Sequence, residues 1–112
     1  MIFISIWEVV LNKLIRTYIG FSLKSRAVVI GQDRLKVAKQ KIHLIVYCNT
    51  ASQNLKDLII RLAGKFDCKY ILLNNLQDYT NIEGCKVLGL TNKSLADAII
   101  KVMDDKGETD GK

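Results

Sequence analysis

The strongest constraint on the fold of this chain is an apolar run in the middle of the sequence, Ile42-His43-Leu44-Ile45-Val46-Tyr47-Cys48. Its β-branched and aromatic residues favour a strand, and near-continuous apolarity is typical of a strand that is buried on both faces. A sheet that contains such a strand must be covered on both sides. Helices supply that cover in small domains, so the run predicts a layered α/β fold.

Short apolar runs and amphipathic stretches alternate along the rest of the chain. Apolar residues spaced by three and four positions predict helices, and short β-branched or apolar runs next to glycine or polar residues predict strands. The predicted order is helix 4–24, strand 27–30, helix 32–41, strand 42–48, helix 52–66, strand 68–73, helix 75–81, strand 85–90 and helix 93–104. This alternation predicts an α/β protein, a three-layer α/β/α sandwich around a small four-stranded mixed sheet.

The length of 112 residues is that of one domain. We expect this single domain to span residues 1–104, with residues 1–13 as an N-terminal helical extension. Residues 105–112 are polar and contain glycine, so they are predicted to form a disordered tail.

The first ten residues, MIFISIWEVV, are strongly apolar. They lack the cationic start and the small-residue cleavage site of a secretory signal. Glu8, Asn12 and Lys13 interrupt the run well short of the roughly 20 apolar residues that cross a bilayer. We therefore expect no stable membrane insertion, and a cytoplasmic protein whose N-terminal helix packs on the domain or on a partner.

The three cysteines, Cys48, Cys68 and Cys85, lie in or beside apolar runs. An odd number of widely spaced cysteines is typical of small buried residues in a reducing compartment. The sequence has no C-x-x-C pair and only one histidine, His43, so a zinc site is not expected.

Catalytic chemistry has little support in the sequence. The phosphate-binding patterns G-x-x-x-x-G-K-S/T and G-x-G-x-x-G do not occur. His43 begins an apolar strand, where a structural role is the usual one, and no local context joins a nucleophile to a base and an orienting carboxylate. The chain is therefore predicted not to be an enzyme.

The net charge of +6 comes from about a quarter of the sequence. Residues 11–42 hold eight cations and one anion, Asp33, whereas residues 43–112 hold nine of each. A charge imbalance confined to one stretch predicts a surface that binds a polyanion.

The pattern Gly31-Gln32-Asp33-Arg34-Leu35-Lys36 lies in the middle of that stretch. Glycine permits a tight turn into a helix, Gln32 can donate and accept hydrogen bonds at a base edge, and Asp33 can accept them from guanine. Lys36 lies one helical turn further on the same face. Such a compact polar site can contact bases and phosphates together. The alternative is that Asp33 caps a solvated helix and that the lysines only keep the protein soluble.

Four segments carry a resemblance to a known family: Ile19–Gly31, Gly31–Lys36, His43–Ser52 and Val87–Ala96. Their order and spacing between about residues 14 and 103 resemble the kink-turn RNA-binding ribosomal proteins, namely archaeal large-subunit seven-Ae, eukaryotic thirty-e and, most closely, the bacterial YlxQ-like branch. The resemblance implies an α/β/α sandwich that binds sharply bent RNA, without metal or cofactor. It also implies a ribosomal or ribosome-associated role, with ribosomal RNA as the expected partner.

The family motif Gly-x-Asn-Glu-x-x-Lys aligns its Asn, Glu and Lys with Gln32, Asp33 and Lys36, and its glycine with Ile30, next to Gly31. Gln for Asn and Asp for Glu keep the chemical type and change the reach by one methylene each. A second binding loop falls on Leu90-Thr91-Asn92-Lys93. The RNA-binding residues that the resemblance and the local pattern together predict are Lys24, Arg26, Gly31, Gln32, Asp33, Arg34, Lys36, Lys39, Leu90, Thr91, Asn92 and Lys93.

Two other functions stay open at the level of the sequence. In the first, the chain is a protein-interaction module of a translation or ribosome-assembly complex. It then docks or self-associates through its apolar N-terminal helix, around Phe3, Ile6 and Trp7, because such a surface calls for a partner if it is exposed. In the second, the chain is a detached substrate-recognition domain that acts in trans, related to those attached to RNA methyltransferases.

Overall fold

The computed structural model of the protein describes the backbone of residues 6–105 and the side chains of residues 9–104. At its centre lies strand β2 (Leu44–Cys48), and four of its five residues are buried. Strand β3 (Lys69–Leu73) pairs with β2 in parallel, and strand β4 (Val87–Leu90) pairs with its other side antiparallel. The short strand β1 (Val28–Ile30) pairs antiparallel with β4 and completes a sheet of order β1-β4-β2-β3.

Helices cover both faces of this sheet. They are α1 (Ile6–Lys24), α2 (Gln32–Lys36), α3 (Gln53–Phe66), α4 (Leu76–Thr80) and α5 (Lys93–Asp105). One buried cluster joins α1, α4 and α5 to one face of the sheet, and a second joins α2 and α3 to the other face. Within β2, Leu44 and Val46 belong to the first cluster and Ile45 to the second, as the alternation of a strand requires. The predicted α/β/α sandwich with a four-stranded mixed sheet is confirmed.

A capping side chain and a left-handed residue define the two ends of α3. Ser52 precedes the helix, and its side-chain oxygen accepts a hydrogen bond from the Leu55 N–H at 3.2 Å. This is the usual N-cap interaction, which satisfies one of the free N–H groups of the first turn. At the other end Asp67 adopts a left-handed conformation, with φ 53° and ψ 53°, and closes the helix.

Helix α2 differs most from its predicted length, because it ends at Lys36 where the sequence predicts a helix to residue 41. The following segment crosses from β1 to β2 over the intervening strand β4, a distance of roughly two strand spacings or about 10 Å. Residues 37–43 make this crossing in an irregular backbone that is neither helix nor strand. The segment also delivers Ile42, which is completely buried, to the second cluster.

The N-terminal helix is continuous with the domain over its described part. Helix α1 runs without a break across residue 13, and Leu11 packs in the same cluster as Ile15 and Ile19. The side chains of Phe3, Ile6 and Trp7 and residues 106–112 of the predicted tail lie outside what the structure describes. None of the helices in the described part of the chain is both long enough and apolar enough to span a membrane.

Candidate nucleic-acid interface

The predicted turn at Gly31 is present. Gly31 has φ 91° and ψ 152°, a conformation that favours glycine. Its N–H donates to the Val87 carbonyl at 3.0 Å, and its carbonyl accepts from the Leu35 N–H at 3.1 Å. These two bonds join the end of β1 to β4 and begin α2, so they hold residues 32 and 33 at a fixed place beside the sheet.

The polar side chains of α2 face solvent. Gln32, Asp33, Arg34 and Lys36 are all exposed, and within residues 9–104 none of their side chains makes a hydrogen bond or an ion pair. Position 31 is the N-cap of α2, and Asp33 makes no capping hydrogen bond. The alternative in which Asp33 serves as a helix cap therefore has no support in the geometry, and all four side chains are available to a ligand.

A cleft adjoins the start of α2. It is lined by Ile30, Gly31 and Gln32, by Leu55 of α3, and by residues 82–87, which run from the connection after α4 to the first residue of β4. Glu83 and Lys86 give this connection one charge of each sign, and the Lys86 ammonium donates to the Thr50 hydroxyl. Sequence reasoning did not include this connection in the site. Its place beside Gly31 follows from the pairing of β1 with β4, which no local pattern reveals.

The two predicted binding segments lie at opposite ends of β4. Gly31 bonds to Val87, where β4 begins, whereas the Thr91 N–H donates to the Ala27 carbonyl at 2.9 Å, where β4 has ended. Val87 and Thr91 are four residues apart, so these ends are separated by roughly 13 Å. Residues 90–93 therefore lie near the end of α1 at Lys24 and the turn that contains Arg26, and not beside Gln32 and Asp33.

Residues 90–93 also make structural contacts. Leu90 is completely buried in the first cluster, so its side chain is not on the surface, contrary to the expectation that it contacts RNA. Asn92 accepts a hydrogen bond from the Leu95 N–H at 3.0 Å, the geometry of an N-cap for α5. The Lys93 ammonium lies 2.9 Å from the Asp97 carboxylate. Thr91 is half-buried, which leaves Asn92 and Lys93 as the exposed members of the segment.

Four of the cations of residues 24–41 lie near β1, which is an edge strand of the sheet. Lys24 and Arg26 precede β1 and are exposed, and Arg34 and Lys39 line a shallow groove with Val28 and Val29. Lys41 is different, because its ammonium donates to the Phe66 carbonyl at the end of α3. A cation at the carboxyl end of a helix stabilises that end, so Lys41 has a structural role.

Cys48 and Cys85 are buried and Cys68 is half-buried. Cys48, at the end of β2, has the polar side chains of Asn49 and Thr50 as neighbours. Burial alone would raise the pKa of Cys48. The pKa is nevertheless below its ordinary value, because the thiolate accepts hydrogen bonds from the Thr50 hydroxyl and from the backbone of Thr50 and Leu76, and because Lys86 is positively charged. Burial raises the pKa of Cys85, and it raises that of Cys68 to about 11. No group of three or more metal-ligating side chains occurs among the residues that the structure describes.

Comparisons with known proteins bear on the fold alone. No protein-family model matches the chain, and no curated protein matches it. Among solved structures, the chain is similar to one described as a protein with unknown function from Bacillus halodurans C, with a TM-score of 0.70 and 15% sequence identity over 80% of this chain and 96% of that one. The similarity supports the α/β architecture, and the kink-turn family stays a prediction.

Proposed function

We propose that the protein is a non-enzymatic RNA-binding protein of the cytoplasm, ribosomal or ribosome-associated, that recognises a bent RNA of the kink-turn type. The observation that carries this proposal is a set of exposed cations that precede β1 or follow it in α2 and the next segment, in a stretch of sequence whose one carboxylate is Asp33. They are Lys24, Arg26, Arg34, Lys36 and Lys39. Cations that are not neutralised within the protein favour an anionic ligand, and a nucleic acid is the ligand that offers many phosphates in a row.

The layout of the surface divides the contacts into two kinds. Gln32 and Asp33, next to the cleft, are suited to the edges of bases, whereas the lysines and arginines are suited to phosphates. Ala27 and Gly31 flank β1 and lie four residues, or roughly 13 Å, apart along the strand. Lys24 and Arg26 come before Ala27, at the far end of β1 from Gln32. A bent RNA with two helical arms can place phosphates near both ends while its unpaired bases face the cleft, which a straight duplex cannot do.

The first test is the choice between RNA shapes. We expect a helix–internal-loop–helix RNA that bends sharply to bind at least about tenfold more tightly than a straight duplex of the same composition. With roughly 3–4 phosphate contacts, the affinity should fall with salt at a log–log slope of about −3. Equal affinity for the two RNAs would remove the preference for bent RNA, and binding that does not depend on salt would remove the phosphate contacts.

The second test is a charge reversal at α2. Lys36→Glu should nearly abolish binding of the bent RNA, because it removes an attraction and adds a repulsion next to Gln32 and Asp33. Lys101→Glu is the matched control, since Lys101 is an exposed cation on α5 and the change in net charge is the same. If both variants lose affinity to the same extent, net charge alone explains binding and the site at α2 is wrong.

A further inference from the structure

Helix α1 has an apolar line on its outer side, separate from the face that packs in the core. Leu11, Ile15 and Ile19 are buried on the inner face, whereas Val10, Leu14 and Phe21 are 40%, 37% and 56% exposed. With Thr17, these exposed residues are spaced by four, three and four positions, which is the a/d spacing of a coiled coil. We call the line of Val10, Leu14, Thr17 and Phe21 the outer seam.

Thr17 does not interrupt the apolar character of the outer seam. Its hydroxyl donates to the Lys13 carbonyl at 2.9 Å, so its one hydrogen-bond donor is satisfied within the helix. The outer seam extends for roughly 16 Å along α1, at 1.5 Å per residue. The same spacing continues in the sequence to Trp7, whose side chain lies outside those described. A line of this length matches one face of a second amphipathic helix.

Between Val10 and Phe21, the charges that α1 itself carries are all positive. Lys13 lies beside Leu14, next to the seam, and Lys24 takes the next d position after Phe21, so that a cation ends the line. From residue 9 to residue 32 the sequence contains four cations and no carboxylate, and Glu8 comes just before this stretch, next to Trp7. Pairing with a second copy of α1 would bring these cations close together, and like charges beside a helix seam are destabilising. Charge complementarity therefore favours a partner with acidic residues beside its apolar face.

We propose that the outer seam is a docking site for an amphipathic helix of a protein partner, with apolar residues at heptad spacing and glutamates or aspartates next to them. The side chains of Val10, Leu14 and Phe21 fill the seam, and Lys13 and Lys24 pair with the acidic flank of the partner. An RNA ligand fits this surface less well. A line that includes aliphatic side chains offers few platforms for stacking bases, which prefer aromatic rings in a cationic groove.

The experiment uses the full chain and a fluorescently labelled three-heptad peptide with leucine and isoleucine at a and d and glutamate at e and g. A second peptide has the same apolar residues and lysine at e and g. We expect the acidic peptide to bind and the basic peptide to bind at least about tenfold more weakly in fluorescence anisotropy at low salt. Equal binding of both peptides, or binding of neither, overturns the proposal.

Two seam variants and one control locate the site. Leu14→Glu and Phe21→Glu should each weaken binding of the acidic peptide by roughly tenfold or more, because each places a carboxylate in the seam. Ile60→Glu is the matched control, since Ile60 is 54% exposed on α3, in the opposite layer of the sandwich. Circular dichroism verifies that each variant is folded. If Ile60→Glu weakens binding as much as the seam variants do, the outer seam is not the site.

Other occupants of the outer seam give different results. A dimer in sedimentation that Leu14→Glu abolishes would show that the occupant is a second copy. Binding to vesicles that contain anionic phosphatidylglycerol, lost in Leu14→Glu while the acidic peptide does not bind, would show that the occupant is a lipid surface. Either result overturns the proposal. Lys36→Glu should leave peptide binding unchanged, so that the docking site and the RNA site can fail independently.

Discussion

Leu35 packs so closely on Gly89 that a β-carbon on residue 89 would lie 2.7 Å from the Leu35 Cδ2 atom. Ile42 approaches the same position to 2.9 Å, and both side chains are completely buried. Because Gly89 has no side chain, α2 and the segment after it can lie directly on the sheet. Gly89 therefore determines how closely α2, the helix that carries Gln32 and Asp33, packs on the sheet.

Replacing Gly89 with alanine should destabilise the protein by about 1–3 kcal/mol, because a β-carbon overpacks a buried site where Leu35 and Ile42 have little room to move. The displaced α2 should also weaken binding of the bent RNA. Urea unfolding gives the first effect and an RNA titration the second. Gly64→Ala is the control: a β-carbon there has no atom within 4 Å, and alanine within α3 should stabilise the helix by up to about 1 kcal/mol. Equal stability of the two variants would contradict the close packing at Gly89.

Arg26 occupies a backbone conformation that usually belongs to glycine. It has φ 60°, and it follows α1 at the position where helices commonly end in a left-handed residue. The Arg26 N–H donates to the Leu23 carbonyl at 3.2 Å and the Ala27 N–H to the Ser22 carbonyl at 2.8 Å, the two bonds of a Schellman motif. An arginine in this place is strained, and strain of this kind is common at functional sites.

Arg26→Gly should therefore raise the free energy of unfolding by up to about 1 kcal/mol, because glycine adopts the left-handed conformation without steric cost. The same substitution should weaken binding of the bent RNA, since it removes an exposed cation near β1. Arg26→Ala separates the two effects, because it removes the charge and keeps the strain. Unfolding in urea and RNA titration of all three proteins provide the comparison. If Arg26→Gly is more stable and binds RNA as well as the parent, Arg26 is not part of the interface.

Asn92 is both a predicted RNA-binding residue and the N-cap of α5, and two substitutions distinguish these roles. Asn92→Ala should cost about 1 kcal/mol of stability, because the Leu95 N–H loses its acceptor. Asn92→Asp keeps the cap, so its stability should match that of the parent. If residue 92 also faces RNA, the added carboxylate of Asn92→Asp should weaken binding. Unchanged RNA affinity in Asn92→Asp would leave Asn92 with the capping role alone.

The sequence predicts the order of the elements well and the assembly of the site only in part. The run from Ile42 to Cys48 predicts a doubly covered strand because periodicity and burial are local properties, and the structure has β2 there. The length of α2 depends on a crossing over β4 and on the burial of Ile42, which are tertiary constraints. For the same reason the sequence indicates Gln32 and Asp33 as exposed polar residues but not their proximity to residues 82–87.

Cys68 follows α3 and is half-buried, and its thiol should make the stability of the protein depend on alkaline pH. Burial raises its pKa from about 9 to about 11, with the charge of Lys41 opposing this shift and that of Asp67 adding to it. Between these pH values the folded thiol keeps its proton while the unfolded thiol loses it. The folded state then binds more protons than the unfolded state, so the free energy of unfolding must fall as pH rises through this window.

The measurement is urea unfolding of the parent and of Cys68→Ala at several pH values from about 8 to about 11. Lysines and tyrosines titrate in the same range, so the slope of either protein alone does not isolate the thiol. The difference between the two proteins does: the parent should lose stability relative to Cys68→Ala as pH rises above about 9, where the unfolded thiol ionises. Below that pH the difference should be constant, because the thiol is protonated in both states. Parallel curves over the whole range would show that burial does not shift the pKa of Cys68.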